Sequence, residues 1–367
     1  VSQFVIAQFF VIATIMVGKQ INYSLNADLG FNKDGIITYN APRDTVASHT
    51  QQLLNSINAI PAVEVASSGF LSPEDEGVAF TNISYAPKKD VQPQVQLRWG
   101  NPEYINVYKI KLLAGRNVAA SDTFREFLIN DTYAKLLGFQ KPDDAIGKYL
   151  TFNGKQMPIV GVMQDFHDQS MHSPIFPLVF TDGNGDTFHV RFKATAGGAN
   201  AWHAAIIQIQ KAFNQIYPGE DFNYKFYDDT IAGMYEKEQQ TKGLLSWATA
   251  LAIFISCLGL LGLVMYTINT RTKEIGIRKI LGASVTNILS ILSTDFIKLV
   301  CIAFIIAAPL AWWAVYKWLQ DYAYKTAISW WVFALCGSTM LLIALLTLSI
   351  QTIKAALSNP VKSLRTE

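Results

Sequence analysis

The stretch GLLSWATALAIFISCLGLLGLVMYTINT, residues 243–270, contains no charged side chain. A helix this long crosses a hydrocarbon core of ~30 Å. Burying a single Lys, Arg or Asp at mid-span costs about 2.5–3.5 kcal/mol on insertion scales, so a clean run of this length marks a membrane span rather than a soluble core. Uncharged runs recur at residues 299–316 and 326–353, and a shorter one lies at residues 4–17. The chain therefore divides into one span, a soluble domain of about 220 residues and three closely spaced spans. The fold class expected is an α-helical membrane domain of four transmembrane helices, with a large extracytoplasmic α+β domain inserted between helices 1 and 2.

Composition agrees with that plan. Hydrophobic residues make up 50% of the chain and charged residues only 16%, against roughly 25% charged in soluble domains. Residues 23–243 hold 24 acidic and 19 basic side chains, whereas the flanking segments hold 4 acidic and 11 basic. This is a polar domain beside a membrane and not a nucleic-acid binder. The loop after residue 270 carries Arg271, Lys273, Arg278 and Lys279 against Glu274, and Lys354, Lys362 and Arg365 follow the last span. Basic short loops belong in the cytoplasm. Four spans then put both ends of the chain inside and the large domain outside, in a multi-pass protein of a plasma membrane in contact with lipid. No charged n-region precedes Phe4, which predicts that the sequence starts partway through a longer protein.

Cys257, Cys301 and Cys336 all fall within the apolar runs, so the outer domain has no disulfide and relies on its size for a core. In that domain residues 35–40 (GIITYN) alternate as a strand. Pro42 opens a helix with Leu53, Leu54 and Ile57 on one side, and residues 63–70 form a second strand. The same order returns as strand 187–193, helix 200–217 and strand 222–227. Two β-α-β units, near 35–70 and 187–227, are expected to pair as a split α/β layer. A strand-rich insert at about 79–180 separates them, with an Asn153–Gly154 turn. Residues 228–242 read as a helix running unbroken into the second span.

The inner loop RTKEIGIRKILGAS, residues 271–284, reads as an amphipathic helix with a basic face, its apolar residues being Ile275, Ile277, Ile280 and Leu281 with Ile288 and Leu289 beyond. Gly282 with Ala283 and Ser284 allows a turn or the close approach of another helix. Two readings stand: a helix lying on anionic lipid, or a helix docking in a groove of a cytoplasmic partner.

In this string, and in the tail AALSNPVKSLRTE, the chain resembles the FtsX-like permeases. Residues 100–116 (GNPEYINVYKIKLLAGR), 127–139, 143–150 and 159–172 (IVGVMQDFHDQSMH) are similar to pieces of the MacB-type periplasmic domain. Residues 295–324 resemble Bacteroidetes-type permeases, in which two four-span units are fused in tandem. The resemblance implies a helix at residues 1–22, a MacB-type domain at 23–242 and an FtsX-like domain at 243–367. The last would have helices at about 243–270, 296–318 and 327–353 and a cytoplasmic coupling helix at about 271–288. It further implies a non-enzymatic permease subunit of a bacterial ABC export or efflux system. Such a subunit pairs with a second permease unit, as a homodimer or a tandem half, and with a cytoplasmic ABC ATPase. A periplasmic or outer-membrane partner is also implied. No cofactor is expected in this chain, ATP and Mg²⁺ belonging to the ATPase; no G-x-x-x-x-G-K-[ST] string occurs. The coupling residues implied are Arg271, Lys273, Glu274, Ile275, Gly276, Ile277, Arg278, Lys279, Leu281, Gly282 and Ala283. The alternatives are a membrane-anchored extracytoplasmic sensor, for which the short inner tail leaves no effector domain, or a regulator of cell-wall hydrolases with the same architecture.

Other residues invite a chemical reading. Asp165, His167, Asp168 and His172 could form a metal site or an acid/base pair, but their spacing matches neither a helical H-x-x-x-H pair nor a zinc pattern, and a structural loop is expected. Glu74, Asp75 and Glu76 read as a solvated acidic turn. Asp295 and Lys298 stand at i, i+3, where they could pair on one helix face, but near the inner interface snorkelling to the headgroups is expected instead. Trp312, Trp313, Trp318, Trp330 and Trp331 read as an aromatic belt. Gly259 and Gly262 are expected at close helix contacts, and Pro309 at a kink.

Overall fold

The computed structural model describes residues 1–42, 47–70, 79–88, 94–121, 123–194, 198–271, 274, 277 and 285–357. It separates into two compact units. One comprises residues 25–235; the other comprises residues 1–24 and 236–367.

The α/β unit follows helix α1 (Ser2–Asn26). Its first sheet contains β1 (Ile36–Asn40), β2 (Val63–Gly69), β10 (Thr187–Phe192) and β11 (Tyr224–Phe226). The order is β11-β1-β10-β2 and every pair is antiparallel. Helix α2 (Ala47–Asn58) joins β1 to β2, and α5 (Ala199–Ile216) joins β10 to β11. Each β-α-β unit thus has its two strands parled by a strand of the other, which is the split ferredoxin-like arrangement. The residues between Pro42 and α2 lie outside those described.

Alternation along β10 decides what each face of this sheet meets. Phe188, Val190 and Phe192 join Ile37, Tyr39, Leu53, Leu54, Ile57, Ile209 and Phe213 in the core under the two helices. Burying each such side chain stabilises by about 1.5–3 kcal/mol. His189 and Arg191, on the other face, are also buried. There they meet α3 (Glu103–Tyr108).

The insert has its own sheet and core. β3 (Phe80–Asn82), β4 (Gln94–Trp99), β5 (Leu112–Gly115), β6 (Phe127–Asn130), β8 (Lys155–Met163) and β9 (Leu178–Thr181) run in the order β3-β4-β9-β6-β8-β5. The β4–β9 and β6–β8 pairs are parallel. β7 (Tyr149–Phe152) pairs with β8 through a two-residue turn at Asn153 and Gly154, with φ of 47° and 76°. Positive φ at both positions is the hairpin geometry that an Asn-Gly pair favours. Helix α4 (Asp131–Leu136) covers this core with Tyr133 and Ala134.

Helix α6 (Tyr227–Met234) stops at Tyr235, which has φ −109° and ψ 18°, and α7 (Glu236–Thr270) starts anew. The unbroken helix expected over 228–242 is therefore interrupted, and strand 222–227 shortens to Tyr224–Phe226 because Tyr227 already opens α6.

In the second unit, α1, α7, α8 (Val285–Leu319) and α9 (Trp330–Leu357) are long and apolar enough to cross a membrane. α8 continues through Pro309 and takes in Val285–Ile288, so those four residues belong to the helix of the third span. Half of the α1 span is buried against 17% of the α7 span, which makes α1 the enclosed helix of the bundle. Its Phe4, Ala7, Ile12 and Met16 pack with Leu260, Val300, Ala303, Cys336 and Met340. Polar contacts fix α1 along its length. Ser256 Oγ donates to the Gln3 carbonyl at 3.1 Å, Gln8 Nε2 to the Val300 carbonyl at 3.3 Å, and Thr14 and Thr249 share a 2.8 Å hydrogen bond. Lys19 Nζ donates to the Ala327 carbonyl and to Ser329 Oγ, and Gln20 Oε1 accepts from the Thr326 amide. Of the two small residues expected at a helix contact, Gly259 faces Gln3, whereas Gly262 faces open space. Trp312, Trp313, Trp330 and Trp331 are exposed, but Trp318 packs into the bundle against Tyr322.

Candidate functional site

The connection between α7 and α8 carries the residues implied in coupling. Arg271 closes the last turn of α7, its amide donating to the Thr267 carbonyl at 3.1 Å. Glu274 and Ile277 are helical and exposed, and Ile277 keeps 54% of its surface open. An exposed Ile between charged neighbours gains nothing from water and is suited to a contact. Lys273, Ile275, Gly276, Arg278, Lys279, Leu281, Gly282 and Ala283 lie outside the described residues, as do Glu74, Asp75 and Glu76. Asp295 Oδ1 lies 3.9 Å from Lys298 Nζ, a pairing that the i, i+3 spacing allows, and its Oδ2 lies 3.8 Å from Arg271 Nη2. All three side chains are largely exposed, so these pairs contribute little, about 0–1 kcal/mol each.

In the α/β unit the segment Asp165–His172 lies between β8 and β9; Phe166, Asp168 and Met171 are buried and its other residues half-buried. Its two carboxylates have separate partners. Asp165 accepts from the Thr132 amide and hydroxyl, both at 2.8 Å, at the start of α4. Asp168 Oδ2 pairs with Arg98 Nη2 of β4 at 3.2 Å. Burial pushes the Asp168 carboxyl above its usual range, against the pull of Arg98. Burial likewise holds the His167 imidazole below its usual range, against Asp168, Asp28 and Asp165. His172 stacks on Tyr235 and its Nδ1 is 3.2 Å from Ser170 Oγ. Among the described residues no group of three or more His, Cys, Asp and Glu is placed to hold a metal ion. What this geometry can do is fasten chain segments together.

Behind Asp168 lies a polar layer between the two sheets. His189 Nδ1 is 2.8 Å from Tyr108 Oη, and the imidazole packs edge-on to Tyr104. Burial first, and Arg98 second, push the His189 pKa down to about 3, so the ring is neutral. Arg191 donates to the Val107 and Asn32 carbonyls, to Asn32 Oδ1 at 2.8 Å and to the Asp34 carbonyl at 3.0 Å. Sequence reading missed Arg98, Tyr108, His189, Arg191 and Tyr235. The available signal was a charged residue at an inward position of an otherwise apolar strand, as in VRF around Arg191.

Comparison with known proteins gives the following. The MacB-like periplasmic core domain matches residues 4–213, and the FtsX-like permease C-terminal domain matches residues 247–360. The uncharacterized ABC transporter permease YknZ of Bacillus subtilis (strain 168) is 23% identical over 279 residues, covering 73% of this chain and 69% of that protein. The macrolide export ATP-binding/permease protein MacB of Aggregatibacter actinomycetemcomitans is 24% identical over 197 residues, 51% of this chain and 30% of that protein. The matched region thus spans less than a third of that MacB. The crystal structure of the periplasmic region of MacB from Actinobacillus actinomycetemcomitans superposes with a TM-score of 0.40 at 11% identity, covering 58% of this chain and 98% of that one.

Proposed function

This chain belongs to the ABC transporter permeases that combine a MacB-like periplasmic core domain with an FtsX-like permease domain, and from that premise we propose that it converts ATP hydrolysis by a separate cytoplasmic ATPase into movement of its α/β unit. The transport reading is export of a peptide, antibiotic or lipoprotein-type cargo. Both chain ends lie on the ATPase side of the membrane, and a second permease unit completes the assembly. ATP and Mg²⁺ bind in the ATPase; this chain contributes no reacting group.

The observation that supports this reading is the exposed helical Ile277 beside Glu274 and Arg271, directly after α7. A lipid-surface helix would bury its isoleucines in the acyl boundary and use only its lysines and arginines. A docking helix also uses an acidic residue such as Glu274 for specificity, because charges across an interface set partner and register. ATP-driven change in the ATPase then displaces the α7–α8 connection, and with it α7.

The test is purification of the tagged chain from its native membrane under mild detergent. An ATPase carrying a phosphate-binding loop should co-purify in stoichiometric amount, with its turnover raised in the complex. An intact, folded chain that brings down no ATPase would reject the reading and favour a membrane-anchored sensor.

A further inference from the structure

The loop Asp165–His172 touches both ends of the α/β unit, entirely within residues 25–235. At one end, the His167 amide donates to the Leu29 carbonyl at 2.8 Å and Phe166 packs edge-on to Phe31 at 6.1 Å. Gly30, at φ +79°, lies so close to Asp165 and Phe166 that an added Cβ would strike the backbone of both. At the other end, the Met171 amide donates to Tyr235 Oη at 2.9 Å, and His172 stacks on the same ring. Between these contacts, Asp168 holds Arg98 of the insert sheet. Phe166, Asp168, Met171 and Tyr235 are all buried. A buried loop is costly unless its backbone groups find partners. Here two of those partners are the segments leading from α1 and into α7.

We propose that Asp165–His172 is a clasp that ties the two ends of the α/β unit to each other and both to the insert sheet, so that the ends move together and carry the insert with them. Its purpose rests on the permease reading, since Leu29–Phe31 follow one membrane-length helix and Tyr235 precedes the next. Its existence as a coupled element does not. An end that shifts alone must break either the Leu29 or the Tyr235 contact. Ends that shift together pull on Asp168 and thus, through Arg98, on β4.

Hydrogen exchange on the full chain in lipid nanodiscs, without ATPase, tests the clasp. Tyr235→Phe keeps the ring against His172 and removes the Oη that accepts from the Met171 amide. Exchange at Met171 should rise about fivefold, the effect of one net hydrogen bond. The His167 amide, at the opposite end, should accelerate with it, while β1 and β10 amides keep their protection. Gly30→Ala should act in reverse, loosening His167 directly and the Met171 amide through the loop. Variants that each loosen only their own end, or neither end, would overturn the proposal. Reciprocal loosening in a chain that recruits no ATPase would leave the clasp standing and remove the ATPase-coupling reading.

Discussion

Arg98 Nη2 and Asp168 Oδ2 form an ion pair at 3.2 Å with both side chains 3% exposed. The pair joins β4 of the insert to a loop 70 residues further along the chain. Breaking a buried pair by removing one partner costs about 3–5 kcal/mol, because the other charge stays buried. The two halves are not equivalent. A guanidinium cannot shed its charge, whereas a carboxylate can take up a proton. Asp168→Leu should therefore destabilise the unit fully at any pH. Arg98→Met should cost as much near pH 8 but less near pH 5. The sign follows from burial raising the folded carboxyl pKa above its unfolded value: the folded state binds the proton first, so stability rises as pH falls through the folded pKa. Denaturant midpoints of the full chain in detergent, read by protease resistance of residues 25–235, would check this. Equal deficits for the two variants at both pH values would contradict it.

His189 supplies a second pH dependence of opposite sign. Its folded pKa lies at about 3 against about 6.5 unfolded. The unfolded chain therefore binds a proton first as pH drops, and stability falls by about 1.4 kcal/mol per pH unit from near 6.5 toward 3. His189→Gln keeps a hydrogen-bonding partner for Tyr108 Oη without a titrating ring. The slope between pH 6.5 and 5 should flatten in that variant, measured by exchange of β10 amides after correction for intrinsic rates.

Much of this fold was legible because it rests on periodicity. Among the described residues, the uncharged runs located the long helices α1, α7, α8 and α9, and alternation around Thr38 and His189 placed β1 and β10. Two β-α-β segments pointed to the split layer. What alternation cannot carry is which strand lies beside which. Gln96 and Leu178 are register partners in a parallel pair, yet nothing local to either residue names the other. The break at Tyr235 was hidden because TIAGMYEKEQQ contains no proline, and it is Tyr235 Oη on the Met171 amide that holds that residue in place. Arg98 was missed for a similar reason: QVQLRW alternates polar and apolar residues, and segments distant in sequence, carrying Tyr104, Asp168 and Tyr227, turn its polar side into an interior. Of the coupling residues, Arg271, Glu274 and Ile277 have a described position, and their role comes from resemblance rather than geometry.

The two sheets meet backbone to backbone where Gly69 bridges Gly100, with the Phe70 amide donating to the Trp99 carbonyl at 2.8 Å. Gly185 seals this crossing, since an added Cβ would land on the Gly69 carbonyl. Neither backbone can yield without loss of these bonds. Gly185→Ala should therefore destabilise by about 1–3 kcal/mol or more. Gly233→Ala, in α6 with open space around it, should stabilise by about 0.4–1 kcal/mol through the unfolded chain. Opposite shifts of the thermal midpoint are expected, and a neutral Gly185→Ala would place the crossing wrongly.

The α7–α8 connection yields the prediction that separates docking from lipid contact. On a lipid surface, basic residues act additively at about 1 kcal/mol each, and an acidic residue contributes nothing favourable. In a protein groove, energy concentrates in a few buried anchors. Ile277→Asp should then abolish ATPase co-purification while the chain still inserts, because the exposed side chain is the anchor. Glu274→Lys adds a positive charge, so it should strengthen a lipid contact but weaken a docked one. Gly282→Leu should block close approach in the docked case alone. Measuring ATPase recovery and cargo export for each variant in cells gives the answer. Normal recovery with Ile277→Asp and with Glu274→Lys would assign the segment to the lipid surface.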